Sequence, residues 1–72
     1  MREELRKARK DKGMTQQQVA DYLGIDARYY KKIEASQMLG SIRIWDVLED
    51  LFAINQRILR IISTEQVVGT NV

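Results

Sequence analysis

Apolar residues recur along the chain at intervals of three and four, which is the spacing of one face of an α-helix. No apolar–polar alternation typical of a β-strand is sustained, and residues that favour helix boundaries separate the apolar segments. The pattern therefore predicts an all-α fold of five short helices, at residues 2–12, 15–24, 26–35, 41–53 and from residue 55 onward.

The clearest boundary signals flank the second helix. Thr15 and Gln18 have the spacing of a capping box, in which each side chain hydrogen-bonds the backbone N–H of the other residue. Gly24 is expected to end the helix, because glycine readily adopts positive φ. Good N-cap residues begin the next three helices: Asp26, Ser41 and Asn55.

The apolar stripes of these helices predict one shared core. Its expected members are Leu5, Ala8, Val19, Ala20, Leu23, Tyr30, Ile33, Ile44, Trp45, Leu48, Leu51 and Phe52. We expect a single domain over residues 1–63. Residues 64–72 carry no helix signal and are predicted to form a frayed tail.

The composition narrows the possible functions. The chain has 72 residues, which is room for one small domain. Cysteine and histidine are absent, so disulfides, thiolate metal sites and the most common general base are excluded. Because there is also no glycine-rich phosphate loop or metal-ligand cluster, we expect no metal, no small-molecule cofactor and no enzyme. No apolar run is long enough to span a membrane, and we expect a cytoplasmic protein.

Charge is distributed unevenly along the chain. The net charge is only +2, but basic residues concentrate in residues 2–12 and 28–32, whereas residues 45–52 are acidic. This asymmetry is typical of a protein with one basic face. A solvated charged surface without a ligand is the alternative.

The third helix is expected to divide into two faces. At 100° per residue, Tyr30 and Ile33 project on one side and Arg28, Lys31 and Lys32 on the other. The apolar face would pack against the body of the protein, and the cationic face would point outward.

The connection between the second and third helices indicates a function for the cationic face. Only Gly24 and Ile25 join the two helices, and the small Ala20 lies where they would come closest. A tight turn with glycine between two short helices is typical of the helix-turn-helix motif, whose second helix enters a DNA major groove.

A resemblance to a known family is carried by the segment TQQQVADYLGIDARYYKKIE and the preceding LRKARKDKGM. Together they resemble the phage-repressor and Cro type of helix-turn-helix protein, the Xre-like regulators, from about Leu5 to Ile54. The matching positions are Gln16, Ala20, Gly24, Ile25, Ile33 and Glu34. The resemblance implies a compact lambda-repressor-like domain that binds DNA. The loop ASQMLGS departs from the family pattern, which often has glycine and then proline here.

The resemblance also implies which residues read bases. They are Asp26, Ala27, Arg28, Lys31 and Lys32, at the start and on the outer face of the third helix. Arg28 suits a bidentate contact to guanine, and Ala27 suits contact with a thymine methyl group. Lys31 and Lys32 could instead contact only phosphates, and Asp26 is better explained as the N-cap.

The candidates for contacts to the DNA backbone are Thr15, Gln16, Tyr29, Arg9 and Arg43. Thr15 and Gln16 stand at the amino end of the second helix, which attracts phosphate, although plain capping also explains them. Tyr29 either offers its hydroxyl to a phosphate or packs at the edge of the fold. Arg9 and Glu34 match a pair that forms a salt bridge in relatives. We expect this pair to be exposed, to stabilise the fold little and to hold Arg9 near a phosphate.

A second copy of the chain is the expected protein partner. Such a domain normally binds a pseudo-palindromic site as a two-fold dimer. Ile58, Leu59, Ile61 and Ile62 point in more directions than one core can absorb, which predicts a dimer contact. The alternative is that the fifth helix only closes the core.

The leading hypothesis is a sequence-specific transcriptional regulator of the phage or mobile-element repressor type. It would occupy an operator in double-stranded DNA through the major groove and would be nucleoid-associated. Two alternatives stay open, namely a protein-interaction module such as an antitoxin, and a DNA-architectural or excision factor.

Overall fold

Five α-helices are present in residues 1–63, the part of the chain that the computed structural model of the protein describes. They are α1 (Glu3–Asp11), α2 (Gln16–Leu23), α3 (Ala27–Glu34), α4 (Ile42–Phe52) and α5 (Gln56–Leu59). The prediction of an all-α, five-helix domain is confirmed. The tail predicted for residues 64–72 lies outside the described residues. None of the described helices has the length and apolar character needed to cross a membrane.

Side-chain caps fix the starts of four helices. At α2 the Thr15 hydroxyl accepts a hydrogen bond from the Gln18 N–H (3.1 Å), and the Gln18 side-chain oxygen accepts one from the Thr15 N–H (2.8 Å). This is the predicted capping box. The caps of α3, α4 and α5 are the predicted Asp26, Ser41 and Asn55. Each of these helices therefore starts where the local sequence directs it.

The core is built around Trp45 and Tyr30, the two largest fully buried side chains. The indole Nε1 donates a hydrogen bond to the Leu39 carbonyl at 2.7 Å, so the one polar group of the ring has a partner. Ala20 is also fully buried, which allows α2 and α3 to pack closely. Other fully buried residues are Leu5, Val19, Leu23, Ile33, Leu48 and Leu59. Leu51, which was predicted to be buried, is only partly so.

The last helix, α5, is shorter than its apolar pattern suggested. The helix before it, α4, ends at Phe52, because Ala53 has φ +56° and reverses the chain. α5 then contains only 4 residues. Leu59 is fully buried in the core of its own chain, which removes it from the predicted dimer contact.

The loop between α3 and α4 follows a path that the sequence left open. Ser36 has φ +71°, in the left-handed region that favours glycine. Its hydroxyl oxygen is buried and has no hydrogen-bond partner among the described residues. Gly40 has φ +84°, and a Cβ there would lie only 3.1 Å from Ile33 Cδ1. The loop therefore folds closely over the end of α3.

Candidate nucleic-acid interface

A tight turn joins α2 to α3. Gly24 has φ +75°, which glycine adopts without strain. The N–H groups of Gly24 and Ile25 donate to the carbonyls of Asp21 (3.1 Å) and Ala20 (3.0 Å). These two bonds form a Schellman motif, which satisfies carbonyls at the end of α2 while the chain turns. Asp26 follows at once and starts α3.

The two faces of α3 are separated as the pattern predicted. Tyr30 and Ile33 are fully buried. Arg28, Lys31 and Lys32 are exposed, and the Arg28 side chain retains 88% of its accessible surface. The helix thus presents three cations to solvent in the described part of the chain.

Asp26 is engaged at the start of α3. Its Oδ1 accepts a hydrogen bond from the Arg28 N–H (2.7 Å), and Arg28 Nε lies 3.5 Å from the same oxygen. These contacts lower the pKa of the Asp26 carboxyl, and the bond from the backbone N–H contributes most. The carboxylate therefore acts as the N-cap, and the exposed pair with Arg28 stabilises little.

Ala27 and Tyr29 lie at the edge of the fold. Both are half-buried and pack against the core. One side of each residue therefore supports the fold and the other reaches the surface beside Arg28.

The carboxylate of Glu34 ties three helices together. The residue is only 1% exposed, and its carboxylate accepts hydrogen bonds from Arg9 Nε (2.8 Å) and Arg9 Nη2 (3.1 Å). The Tyr30 hydroxyl donates to Oε2 (2.7 Å), and Gln16 Nε2 donates to Oε1 (3.1 Å). Four donors from α1, α2 and α3 thus converge on one buried anion, which sets how α3 is held against its neighbours.

The Arg9–Glu34 pair is buried, which corrects the expectation of an exposed pair. Arg9 Nη1 also donates to the Met14 carbonyl at 2.9 Å. The bond to Glu34 raises the pKa of Arg9, although burial opposes it. Its Nε, Nη1 and Nη2 groups are thus all engaged inside the fold, and Gln16 shares the oxygen Oε1 with Nη2.

These elements form a complete helix-turn-helix unit, with a capped α2, a glycine turn and an α3 that has one buried and one cationic face. A helix-turn-helix family model matches residues 5–52 of the chain. The chain belongs to the Xre/Cro-like helix-turn-helix family. Proteins of this family are DNA-binding regulators, so the domain is a DNA-binding one. No curated protein and no solved structure gives a significant match to the chain.

In this Xre/Cro-like domain, the amino end of α2 lies beside the Glu34 network. The Thr15 hydroxyl is used in the capping box, and the half-buried Gln16 is held by Glu34. The first N–H groups of a helix have no partner within the helix. The amino end of α2 is therefore a fixed group of donors with a positive dipole end.

Arg43 lies at the carboxyl end of α2. Its Nη2 donates to the Leu23 carbonyl at 2.9 Å, and the residue is exposed. A Cβ at Gly24 would be 4.0 Å from the same nitrogen. Arg43 therefore carries positive charge to the helix-turn-helix turn, although it belongs to α4.

The residues predicted to form a dimer contact separate into two groups. Ile58, Ile61 and Ile62 are 44%, 51% and 49% exposed, whereas Leu59 is buried. A shallow depression of about 480 Å³ is lined by Asn55, Arg57, Ile58 and Ile61. The exposed isoleucines form an apolar surface that the described residues leave uncovered.

Sequence reasoning missed two donors to Glu34. Tyr30 and Glu34 are four residues apart on one helix, a spacing that brings side chains together and could have revealed the bond. Gln16 and Glu34 belong to different helices, and no local pattern links them. Only the packing of α2 on α3 makes that contact.

Proposed function

We propose that the protein is a sequence-specific transcriptional regulator of the phage or mobile-element repressor type. It acts by occupying an operator, so that polymerase or a competing protein is excluded. The single observation that supports this most is the exposed cationic face of α3, opposite a fully buried apolar face. A helix of this kind after a tight turn is suited to a DNA major groove.

Base reading is assigned to the start and outer face of α3. Arg28 is the main reader, since its exposed guanidinium can donate to guanine O6 and N7 together. Ala27 borders it and can contact a thymine methyl group. Lys31 and Lys32 add either base or phosphate contacts, and Asp26 keeps the cap in place.

Phosphate contacts are assigned to groups around this helix. The amino end of α2, with Thr15 and Gln16, offers backbone donors at a helix terminus. Tyr29 and Arg43 add a hydroxyl and a guanidinium on either side of the turn. Such contacts position the protein but carry no sequence information.

Two copies of the chain are proposed to bind a pseudo-palindromic operator. One domain covers only a half-site, and a two-fold dimer places two recognition helices about one DNA turn apart. Ile58, Ile61 and Ile62 supply the apolar surface for an isologous contact. On this proposal the protein works on nucleoid DNA in the cytoplasm.

Selection of bound duplexes from a random pool tests this function directly. The expected result is a site of two inverted half-sites whose spacing matches a dimer. Binding to the selected duplex should weaken steeply as salt rises from 50 to 200 mM, because phosphate contacts release counterions. A pool that yields no enriched sequence, or binding that is insensitive to salt, would contradict the proposal.

The exposed isoleucines also favour a second candidate, a protein-interaction module such as an antitoxin. An apolar surface of this kind suits a different protein as well as a second copy. Sedimentation and DNA selection with the isolated protein distinguish the two candidate functions. A regulator of the first kind sediments as a dimer and enriches a DNA site, whereas the module stays monomeric and enriches none.

A further inference from the structure

Arg2 is a buried cation at the carboxyl ends of two helices. Only 4% of the residue is exposed. Within residues 1–63, its guanidinium donates to three carbonyls: Nη1 to Ile33 and, at 3.2 Å, to Met38, and Nε to Arg60 at 3.2 Å. It also lies 5.2 Å from the centre of the Trp45 ring, which is a cation–π distance.

The three carbonyls offset the burial of this charge. Ile33 belongs to the last turn of α3, and Arg60 is the C-cap of α5. Carbonyls at helix carboxyl ends carry partial negative charge and lack partners within the helix. Burial lowers the pKa of Arg2, and the charge of Arg60 adds to this effect. The hydrogen bonds to the three carbonyls therefore offset a desolvation cost that an exposed arginine would not have.

The contacts of Arg2 join two segments that lie far apart in the chain. The α3–α4 loop contributes Met38, and the segment after α5 contributes Arg60. The backbone beside Arg2 strengthens the same junction, since its N–H donates to the Glu34 carbonyl (2.8 Å) and the Ser63 N–H donates to the Met1 carbonyl (2.9 Å). A helix as short as α5 has little stability of its own, so its position depends on such contacts.

We infer that Arg2 is a positioning residue that holds the α3–α4 loop and residues 60–63 on the carboxyl end of α3. The consequence for DNA binding rests on the proposed function. The loop leads into α4 and Arg43, and residues 60–63 carry Ile61 and Ile62. One buried side chain thus links the DNA-contacting unit to the surface proposed for the dimer.

Amide hydrogen exchange of the full chain tests the positioning role without DNA. In Arg2→Met the Gln37 and Ser63 N–H groups, which donate to the Lys32 and Met1 carbonyls, should lose at least about tenfold in protection. Amides inside α2 should change much less. The control is Lys7→Met, which removes an exposed cation from α1, the helix that Arg2 precedes, and should leave both sites protected.

A merely structural role predicts a different pattern. If every amide in Arg2→Met loses protection by the same factor, the variant is only less stable and the inference is wrong. Unchanged protection at Gln37 and Ser63 would also overturn it. If Arg2→Met does not fold, Arg2→Lys takes its place. Lysine keeps the charge but gathers its donors on one nitrogen, so the same local loss is expected to a smaller degree.

DNA binding separates this inference from the proposed function. At a temperature where both proteins are fully folded by circular dichroism, Arg2→Met should bind the selected duplex about tenfold more weakly than the parent. It should also dimerise more weakly. Binding and dimerisation equal to the parent would overturn the link between the two surfaces. A parent that binds no duplex removes the proposed function, while the exchange pattern still decides the role of Arg2.

Discussion

Arg9 and Glu34 form a two-point ion pair inside the protein, with Nε–Oε2 at 2.8 Å and Nη2–Oε1 at 3.1 Å. The pair joins α1 to the end of α3, and the carboxylate side chain is 2% exposed. A buried pair of this kind adds little over an apolar contact, but it is costly to break. Because the pair is buried, removing one partner should destabilise the fold strongly.

Replacing Glu34 should destabilise the fold strongly. Glu34→Gln leaves the Arg9 guanidinium buried without its counter-charge, at a cost of about 3 kcal/mol in the free energy of unfolding. Urea unfolding followed by circular dichroism measures this change. The control is Glu3→Gln, which breaks an exposed pair with Arg6 at 3.6 Å and should cost less than about 0.5 kcal/mol. Equal losses in the two variants would contradict the buried-pair interpretation.

The buried phenol of Tyr30 should make the protein sensitive to high pH. Burial, followed by the bond to Glu34, raises the pKa of Tyr30 above its ordinary value of 10.0. The folded protein then keeps the phenolic proton at pH values where the unfolded chain loses it. Stability from this group is complete below pH 10 and falls above it, by about 1.4 kcal/mol per pH unit.

Tyr30→Phe tests this assignment. The variant should lose about 1 kcal/mol at pH 7, because the hydrogen bond to Glu34 is gone, and its stability should fall less steeply above pH 10. Urea unfolding from pH 8 to pH 11 measures both effects. Tyr22→Phe, at an exposed position, should keep the pH dependence of the parent. The same steep decline in Tyr30→Phe would rule the phenol out as its source.

Local signals in the sequence were enough to predict the helices and the two faces of α3. Capping residues, Gly24 and the spacing of apolar residues act within a few positions, so their effects can be read in order. The contacts of Arg2 and of Gln16 could not be predicted, since each joins residues far apart in the chain. The burial of Leu59 likewise depends on how α5 meets α1 and α4.

Ser36 is a position where a substitution should stabilise the fold. Its φ of +71° is unfavourable for a residue with a Cβ, and its buried hydroxyl lacks a partner in the described structure. Ser36→Gly should remove both costs and raise the free energy of unfolding by about 1 kcal/mol. Ala35→Gly is the control, because Ala35 has φ −79° and gains nothing from glycine. Thermal unfolding of the two variants tests this prediction. A loss of stability in Ser36→Gly would contradict it and would show that the hydroxyl or the Cβ has a stabilising contact.

Arg28 should determine base preference. Arg28→Ala removes the bidentate donor from the outer face of α3 without touching the core, so stability should not change. Affinity for the selected duplex should fall about tenfold or more, with a smaller change on random DNA. Gln16→Ala is the comparison, measured at a temperature where it stays fully folded without its bond to Glu34, since loss of a phosphate contact should weaken binding to both DNAs alike. Equal losses on both DNAs for Arg28→Ala, measured by titration at one salt concentration, would make Arg28 a phosphate contact instead.

The apolar surface at the carboxyl end should control association. Ile61→Asp places a charge on a surface that is half exposed in the single chain and covered in the proposed dimer. The variant should remain folded but sediment as a monomer where the parent is a dimer, and it should need more protein to bind a palindromic duplex. Ile42→Asp is the matched control, because Ile42 is 78% exposed and lies at the start of α4 rather than after α5. A parent that sediments as a monomer at all accessible concentrations would contradict the proposed dimer. A dimer that survives Ile61→Asp and is lost in Ile42→Asp would place the interface elsewhere.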